Sequence, residues 1–420
     1  MKKSAKVSLA MALMLGLSAG AQMVAPQNAS AEISDKFRLE LNGVYGYRHD
    51  PHGILGYAPN DKNGRQKDNY WNNYTRVVLS YNIDKNVSFH TRLHSGYDAY
   101  SDYVKNTNEK GTFFDQTYMQ LKMPKAAKVP MTLVVGKKGG YMGQGMVFNS
   151  TGNLTGGQLS FGNWWEPTNA TIYYGDRESG DRLMALDADL GIAKNVQLSF
   201  LYAYDKASAS SASTNSNSYI QLTKSDLAKL DDYYNKRYEK DIKKGMSEEA
   251  AKKDAADYAY QKVDVKNGKT STSYKNRDKY YRNEIISFGM KAKTPGITFQ
   301  GEYAHNLNGA SSNIDAARKG WYVEAFTGPT SDMTSGLPVC KPGTNVWSVK
   351  YQDLGKRATI SHNPTFVDDY KGWRITYGHT FKKGLAADIS VGRMKDKGSD
   401  GYDKGKWSNL VVAEMSFKLR

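Results

Sequence analysis

Leu410-Val-Val-Ala-Glu-Met-Ser-Phe-Lys-Leu-Arg420 closes the chain with apolar and polar residues in alternation. Val411, Ala413, Met415, Phe417 and Leu419 fall on one side. Val412, Glu414, Ser416 and Lys418 fall on the other. A two-residue period is that of a β-strand with one apolar face and one wet face. The pattern returns about sixteen times behind a secretion-type leader. Together they predict an all-β fold, a transmembrane antiparallel β-barrel of about sixteen strands, with about fourteen or eighteen as alternatives.

The leader has a basic start at Lys2, Lys3 and Lys6. Its apolar stretch, Val7 to Leu17, is too short to span a bilayer. Ala29-Ser-Ala31 is a small-x-small cleavage site. Residues 1–31 are therefore expected to be a signal peptide, and 32–420 the barrel domain. Cleavage after Ala21 is the alternative.

Mean hydropathy is −0.66, which argues against a bundle of membrane helices and suits a barrel with a polar lumen. Thirty Tyr and thirty-nine Gly fit interfacial girdles and bending strands. The one cysteine, Cys340, cannot form an internal disulfide, and a cysteine zinc framework is excluded. The net charge of +16 is dispersed along the chain. Export argues against nucleic acid as a partner, and anionic lipid or anionic solutes fit better.

The strands read off directly. Phe37, Leu39, Leu41, Tyr45 and Tyr47 form one outward set; Trp71, Val77, Leu79, Tyr81 and Ile83 form the next. Tight turns recur at Asp84-Lys-Asn86, Ala193-Lys-Asn195, Thr294-Pro-Gly296 and Lys382-Lys-Gly384. Longer polar connections lie between them, near 49–69, 98–111, 306–317, 355–371 and 395–407. Short turns alternating with long loops predict periplasmic turns and external loops. The stretches 156–175 and 329–344 fit this scheme least well.

Residues 205–281 break the pattern. This segment is rich in Ser, Lys, Asp and Tyr, and Thr223 to Val263 reads as helix. Thr223-Lys-Ser-Asp226 fits a capping box, and Ser247 ahead of Glu248 and Glu249 fits a second N-cap. Its place between an upward and a downward strand predicts an extracellular helical insertion.

Thr132-Leu-Val-Val-Gly-Lys-Lys138 followed by Met142-Gly-Gln-Gly-Met-Val-Phe148 resembles the strand-and-loop segment of porins that often reads "GR-Q…G-G". The chain is similar to general diffusion porins, most of all to porins of double-membraned Firmicutes, over essentially the whole mature length. Lys137 stands where that motif has Arg, and Arg420 ends the chain in place of an aromatic. Phe417 and Leu419 keep a signal for the barrel-assembly machinery. The S-layer-homology domain that many of these relatives carry is not expected. The resemblance implies an integral outer-membrane protein, a homotrimer, and a loop folded inward to narrow the pore. That constriction loop would carry Lys137, Lys138, Gly143, Gln144 and Asn149.

With the apolar set facing lipid, the other set lines the lumen. This places Arg38, Glu40, Arg76, His90, Arg92 and His94 inside, with Arg374 near barrel closure. The loop 139–157 holds no Asp or Glu. A basic wall without an acidic opposite side is expected to favour anions. In the alternative, the arginines pair with Glu40, Asp187, Asp189 or Glu302 and hold the barrel's shape. No nucleophile–base constellation or phosphate loop stands out, so no enzyme and no cofactor are expected. His49, Asp50 and His52 are a weak metal candidate. The function that follows is passive diffusion of small hydrophilic solutes or ions. The alternative is a barrel-anchored adhesin or structural protein.

Overall fold

The computed structural model describes residues 36–51, 55, 68–97, 112–123, 129–163, 166–177, 182–206, 224–266, 283–307, 318–355, 357–360, 365–397 and 405–419. The leader, residue 223 of the capping box and residue 52 lie outside them.

Sixteen strands form one closed antiparallel barrel. The first eight are β1 (Phe37–His49), β2 (Asn69–Asn82), β3 (Val87–Tyr97), β4 (Thr112–Met123), β5 (Met131–Met142), β6 (Phe148–Phe161), β7 (Asn169–Arg177) and β8 (Arg182–Ala193). The rest are β9 (Val196–Lys206), β10 (Asn283–Thr294), β11 (Ile297–Asn306), β12 (Lys319–Thr327), β13 (Asn345–Leu354), β14 (Tyr370–Lys382), β15 (Leu385–Asp396) and β16 (Trp407–Leu419). Each strand pairs with its sequence neighbours, and β1 closes on β16 from Leu41↔Leu419 to His49↔Val411. Closure leaves no unpaired strand edge, the condition a sheet must meet in lipid.

Alternation sets which face each residue takes. On β16, Leu410, Val412, Glu414 and Ser416 are buried inside while Met415 and Leu419 are about half exposed outside. Phe288, Val349 and Ile389 show the same outward exposure on other strands. The tight turns at 84–86, 194–195, 295–296 and 383–384 gather at one end, here the turn end, with the start of β1 and the end of β16. The connections from β1 to β2, β3 to β4, β9 to β10, β11 to β12, β13 to β14 and β15 to β16 gather at the other, the loop end.

The 329–344 connection is long because it folds inward. Its short 3-10 turn, Leu337–Val339, sits under the turn end. Met333 and Leu337 pack with Val346 and Ala386. The Leu337 carbonyl accepts the Thr380 hydroxyl at 2.9 Å, and the Pro338 carbonyl accepts the Gly384 N–H at 2.9 Å. Gly378 makes room, because a Cβ there would lie 2.6 Å from Leu337. Cys340 lies in this segment, its thiol bonded to the Gly336 carbonyl.

Helices α1 (Lys224–Lys243) and α2 (Glu248–Lys266) interrupt the β9–β10 connection. They pack on each other through Leu230, Tyr234, Ala255 and Ala259. Arg237 bridges Asp241 and Asp254 across the pair. The Ser247 carbonyl accepts the Ala251 N–H, the first bond of α2, which puts Ser247 at the N-cap position, and Glu248 and Glu249 suit the helix N-terminus. No described helix is long and apolar enough to cross a membrane.

Candidate functional site: a narrowed lumen

The tip of the β5–β6 hairpin turns into the barrel. Residues 142 to 148 are all buried. The Gly143 N–H donates to Asp187 Oδ1 at 2.9 Å. Glu302 Oε2 accepts the N–H groups of Gln144 at 3.1 Å and Met146 at 3.0 Å, and the Ser287 hydroxyl bonds its other oxygen. The Tyr322 hydroxyl donates to the Gln144 carbonyl at 3.0 Å, and Gln144 Nε2 reaches Ser199. Carboxylate acceptors make these backbone bonds stronger than neutral ones. Gly143 is required here. Its φ is +62°, and a Cβ would sit 2.5 Å from the Glu302 carboxylate. Met146, Val147 and Phe148 then bury themselves against Leu183, Leu201, Ile285 and Leu354. The hairpin thus fills the β6–β12 side of the lumen with an apolar core.

Across from this core lies a polar wall. Arg92 makes a bidentate pair with Asp115, at 2.7 and 2.6 Å, and Arg76 approaches the same carboxylate at 3.7 Å. Arg76 Nε also donates to His94 Nδ1 at 3.0 Å, and His94 is stacked between Tyr74 and Phe113. The register jumps from Arg92↔Gln116 to Leu93↔Phe114, so Asp115 is the extra residue of a β-bulge. The bulge lets the adjacent Asp115 and Gln116 both face inward, where plain alternation would put them on opposite faces. His90 bonds Ser80 and Ser88 and stacks on Tyr118. Arg48 holds Glu414 with Nε at 2.9 Å and Nη2 at 2.5 Å, and Asn72 donates to the same oxygen at 3.0 Å. Lys350 lies 3.6 Å from Glu324, and Lys418 3.3 Å from Glu40.

Between the hairpin and this wall lies a cavity of about 490 Å³. Its lining joins Arg48 and Leu55 at the loop end to Lys418 and Ser335 at the turn end. Glu40, Arg76, Arg92 and Arg374 line it from the wall, and Tyr141, Gln144 and Asn149 from the hairpin. Arg38 is exposed near the turn-end start of β1, and His90 and His94 stand behind the cavity surface.

Three placements differ from the expectations. Lys137 is on the outer face, not in the constriction. The register pairs it with Thr117 and Thr155, both outward, and strand alternation puts it with the half-exposed Val135. Lys138 takes the inner face, its ammonium 5.3 Å from the Tyr118 ring. The acids expected to pair with arginines serve other partners. Asp187 and Glu302 hold the hairpin, Asp189 accepts from Asn169, and Glu40 meets Lys418. Arg76 and Arg92 converge on Asp115 instead. Finally, His49 bonds Asn69, and Asp50 accepts Leu55 N–H and Tyr70 hydroxyl bonds, so both serve loop structure. Burial raises the Asp50 carboxyl above its usual range, against the pull of those bonds.

No family model matches the chain, and no curated relative matches it. Solved structures do. The Salmonella typhi OmpF complex with daunomycin is 9% identical, with 91% of this chain and 97% of that chain covered and a TM-score of 0.47. A triple mutant of the Rhodopseudomonas blastica porin is 12% identical, with 91% and 99% covered and a TM-score of 0.43.

Proposed function

We propose that this chain is an integral outer-membrane channel for passive diffusion of small hydrophilic solutes, and not an enzyme. One observation carries the reading. A cavity of about 490 Å³ runs beside the hairpin and is lined by residues from both ends of the barrel. A barrel that served only as an anchor would gain by packing that space shut. Solutes pass between the hairpin tip and the polar wall, and size exclusion acts where Tyr141, Gln144 and Asn149 face Arg76 and Arg92.

The wall carries a moderated charge bias. Arg76 and Arg92 share Asp115, Arg48 is held by Glu414, and Lys350 by Glu324. Such pairing reduces the field that bare arginines would supply. The anion preference is therefore modest, and Arg374 contributes to it. A polar seam supports assembly with further copies, and we favour a homotrimer. Thr91, Thr117, Lys137 and Thr155 lie side by side across β3 to β6 on the outer face. A lysine facing lipid near the midplane costs about 2–4 kcal/mol, and a subunit contact avoids that cost. The leader directs export, the barrel-assembly machinery inserts the chain, and the α1–α2 insertion stands outside the cell.

A planar-bilayer recording in a salt gradient tests this directly. Stepwise conductance with a small anion-side reversal potential is expected, and silence refutes the channel. A second reading, a barrel that anchors the α1–α2 pair as an adhesin, draws on the pair's own core and on Ile242 and Met246, exposed near the helix junction. Silence in the bilayer would favour it.

A further inference from the structure

Inward tyrosines elsewhere in the barrel are spent on packing. Tyr74 stacks on His94 and carries the Arg76 guanidinium 4.4 Å from its ring centre, and Tyr118 stacks on His90. Tyr322 is buried, donates to the Gln144 carbonyl and meets Phe366 edge-on. Tyr70 is buried and donates to Asp50. Tyr141 differs. It lines the cavity and is 59% exposed. Its ring stacks on no other and its hydroxyl makes no hydrogen bond among the described residues.

The inward hairpin explains this placement. Folded into the barrel, it turns one face to the wall and the other to the open lumen. Met142 and Phe148, a register pair, take the wall side and are buried in the apolar core. Tyr141 and Asn149, the adjacent pair, take the opposite side. Directly paired residues hold their Cβ atoms about 4.5–5.5 Å apart, so the ring and the amide stand next to each other. Asn149 also lines the cavity, and its side chain makes no hydrogen bond among the described residues. The ring rests on the backbone of Gly145, where a Cβ would lie 2.6 Å from Tyr141 Cε2 and 3.0 Å from Cζ. The ring is thus propped by backbone on one side and open to the lumen on the other.

An open ring with a free hydroxyl and a free amide beside it matches one kind of neutral solute. A pyranose has a flat C–H face that packs on an aromatic ring, and a rim of hydroxyls that need donors and acceptors. An open-chain polyol has the hydroxyls without the face, and an apolar ring has the face without the hydroxyls. Charged groups on the same cavity are paired, Arg92 with Asp115 and Lys350 with Glu324, so a neutral solute gives up no strong ionic interaction by entering.

We propose that Tyr141 and Asn149 form a subsite for pyranose sugars in the narrowed lumen, Tyr141 stacking on the C–H face and Asn149 bonding the ring hydroxyls. The proposal rests on the channel reading and adds a solute class to it. A site inside a pore must hold its solute weakly enough to release it. One platform and one amide meet that condition, because a hydrogen bond exchanged with water contributes little on its own.

Proteoliposome swelling tests this with two neutral six-carbon solutes, the ring sugar glucose and open-chain mannitol. Wild type should admit glucose about twofold faster than mannitol. Tyr141→Leu should bring the two rates together, Asn149→Ala should lower the ratio in part, and Tyr141→Phe, which keeps the ring and loses the hydroxyl, should lie between wild type and Tyr141→Leu. Equal rates in wild type overturn the pyranose preference. A wild-type ratio kept in folded Tyr141→Leu overturns the assignment to the ring, and one kept in Asn149→Ala removes the amide from the subsite. Should Tyr141→Leu fail to assemble, wild-type single-channel current decides: glucose should reduce it saturably and mannitol only in proportion to viscosity, and identical linear reductions overturn the subsite. No swelling with either solute removes the channel reading itself, and this proposal with it.

Discussion

Glu302 and Met146 are 156 positions apart in sequence, yet the Glu302 carboxylate accepts the Met146 N–H at 3.0 Å. The same oxygen takes the Gln144 N–H. With Asp187, which accepts the Gly143 N–H, this wall carboxylate anchors the inward hairpin, whose own stretch 139–157 carries no acid. In its carboxylate bonds the hairpin supplies the donors and the wall the acceptors, while the Tyr322 hydroxyl donates back to the Gln144 carbonyl.

Glu302→Leu should free the hairpin. It leaves two backbone donors and the Ser287 hydroxyl without their acceptor, at about 1–3 kcal/mol for each buried group. Single-channel records should show larger and noisier conductance, and thermal unfolding should begin earlier. Unchanged conductance with a folded barrel would mean that the hairpin is held by its apolar core alone.

Asp115→Asn should strengthen anion preference. The substitution keeps the shape and one acceptor oxygen while removing the charge that Arg92 and Arg76 share. The zero-current potential should shift toward the anion value, most at low salt where screening is weakest. A shift toward cations would contradict the placement of these arginines on the pore wall.

Leu79→Arg should cost about 2–4 kcal/mol, the penalty for a charge on the lipid face near the midplane. Leu79 pairs with Leu39 and Thr91 on the outer face. Ser80→Arg points into the lumen, beside His90, and should assemble. Ser287 has the same inward parity but lies fully buried against Glu302 under the hairpin, so an arginine there should block assembly. Heat-modifiable gel mobility ranks all three.

Deleting residues 208–279 and joining β9 to β10 with a short Gly/Ser turn should leave a folded, conducting barrel. Helices α1 and α2 bury Leu230, Tyr234, Ala255 and Ala259 against each other, so their removal opens no hole in the barrel wall. Loss of assembly would show that the insertion supports the barrel.

The barrel was legible in the sequence because alternation is a local signal, repeated strand after strand. The side of Arg76, Arg92, His94 and Arg374 followed from parity alone. What parity cannot express is a bulge. Asp115 and its neighbour Gln116 both enter the lumen only because one extra residue interrupts β4, and the sole trace is two residues, not one, between the outward Phe114 and Thr117. Parity does separate Lys137 from Lys138, since adjacent residues of a strand take opposite faces, and a constriction motif that includes both is at odds with the strand. The wall–hairpin latch and the infolded 329–344 connection depend on contacts distant in sequence, though the excess length of that connection was a usable sign.

Lys137 allows a test in which the sign of the answer decides. It shares the outer face with Thr91, Thr117 and Thr155, four polar residues in a row across β3 to β6. If this seam faced lipid, Lys137→Leu would relieve the cost of an exposed ammonium and stabilise the single barrel. If the seam meets another copy, leucine removes polar contacts from a subunit interface. The oligomer should then dissociate at lower temperature while each barrel stays folded. Unheated gel mobility and light scattering of detergent-solubilised protein read the two steps separately. We expect the dissociation temperature to fall and the barrel's own melting to hold. A rise in both would place Lys137 in lipid and move the contact surface to other strands.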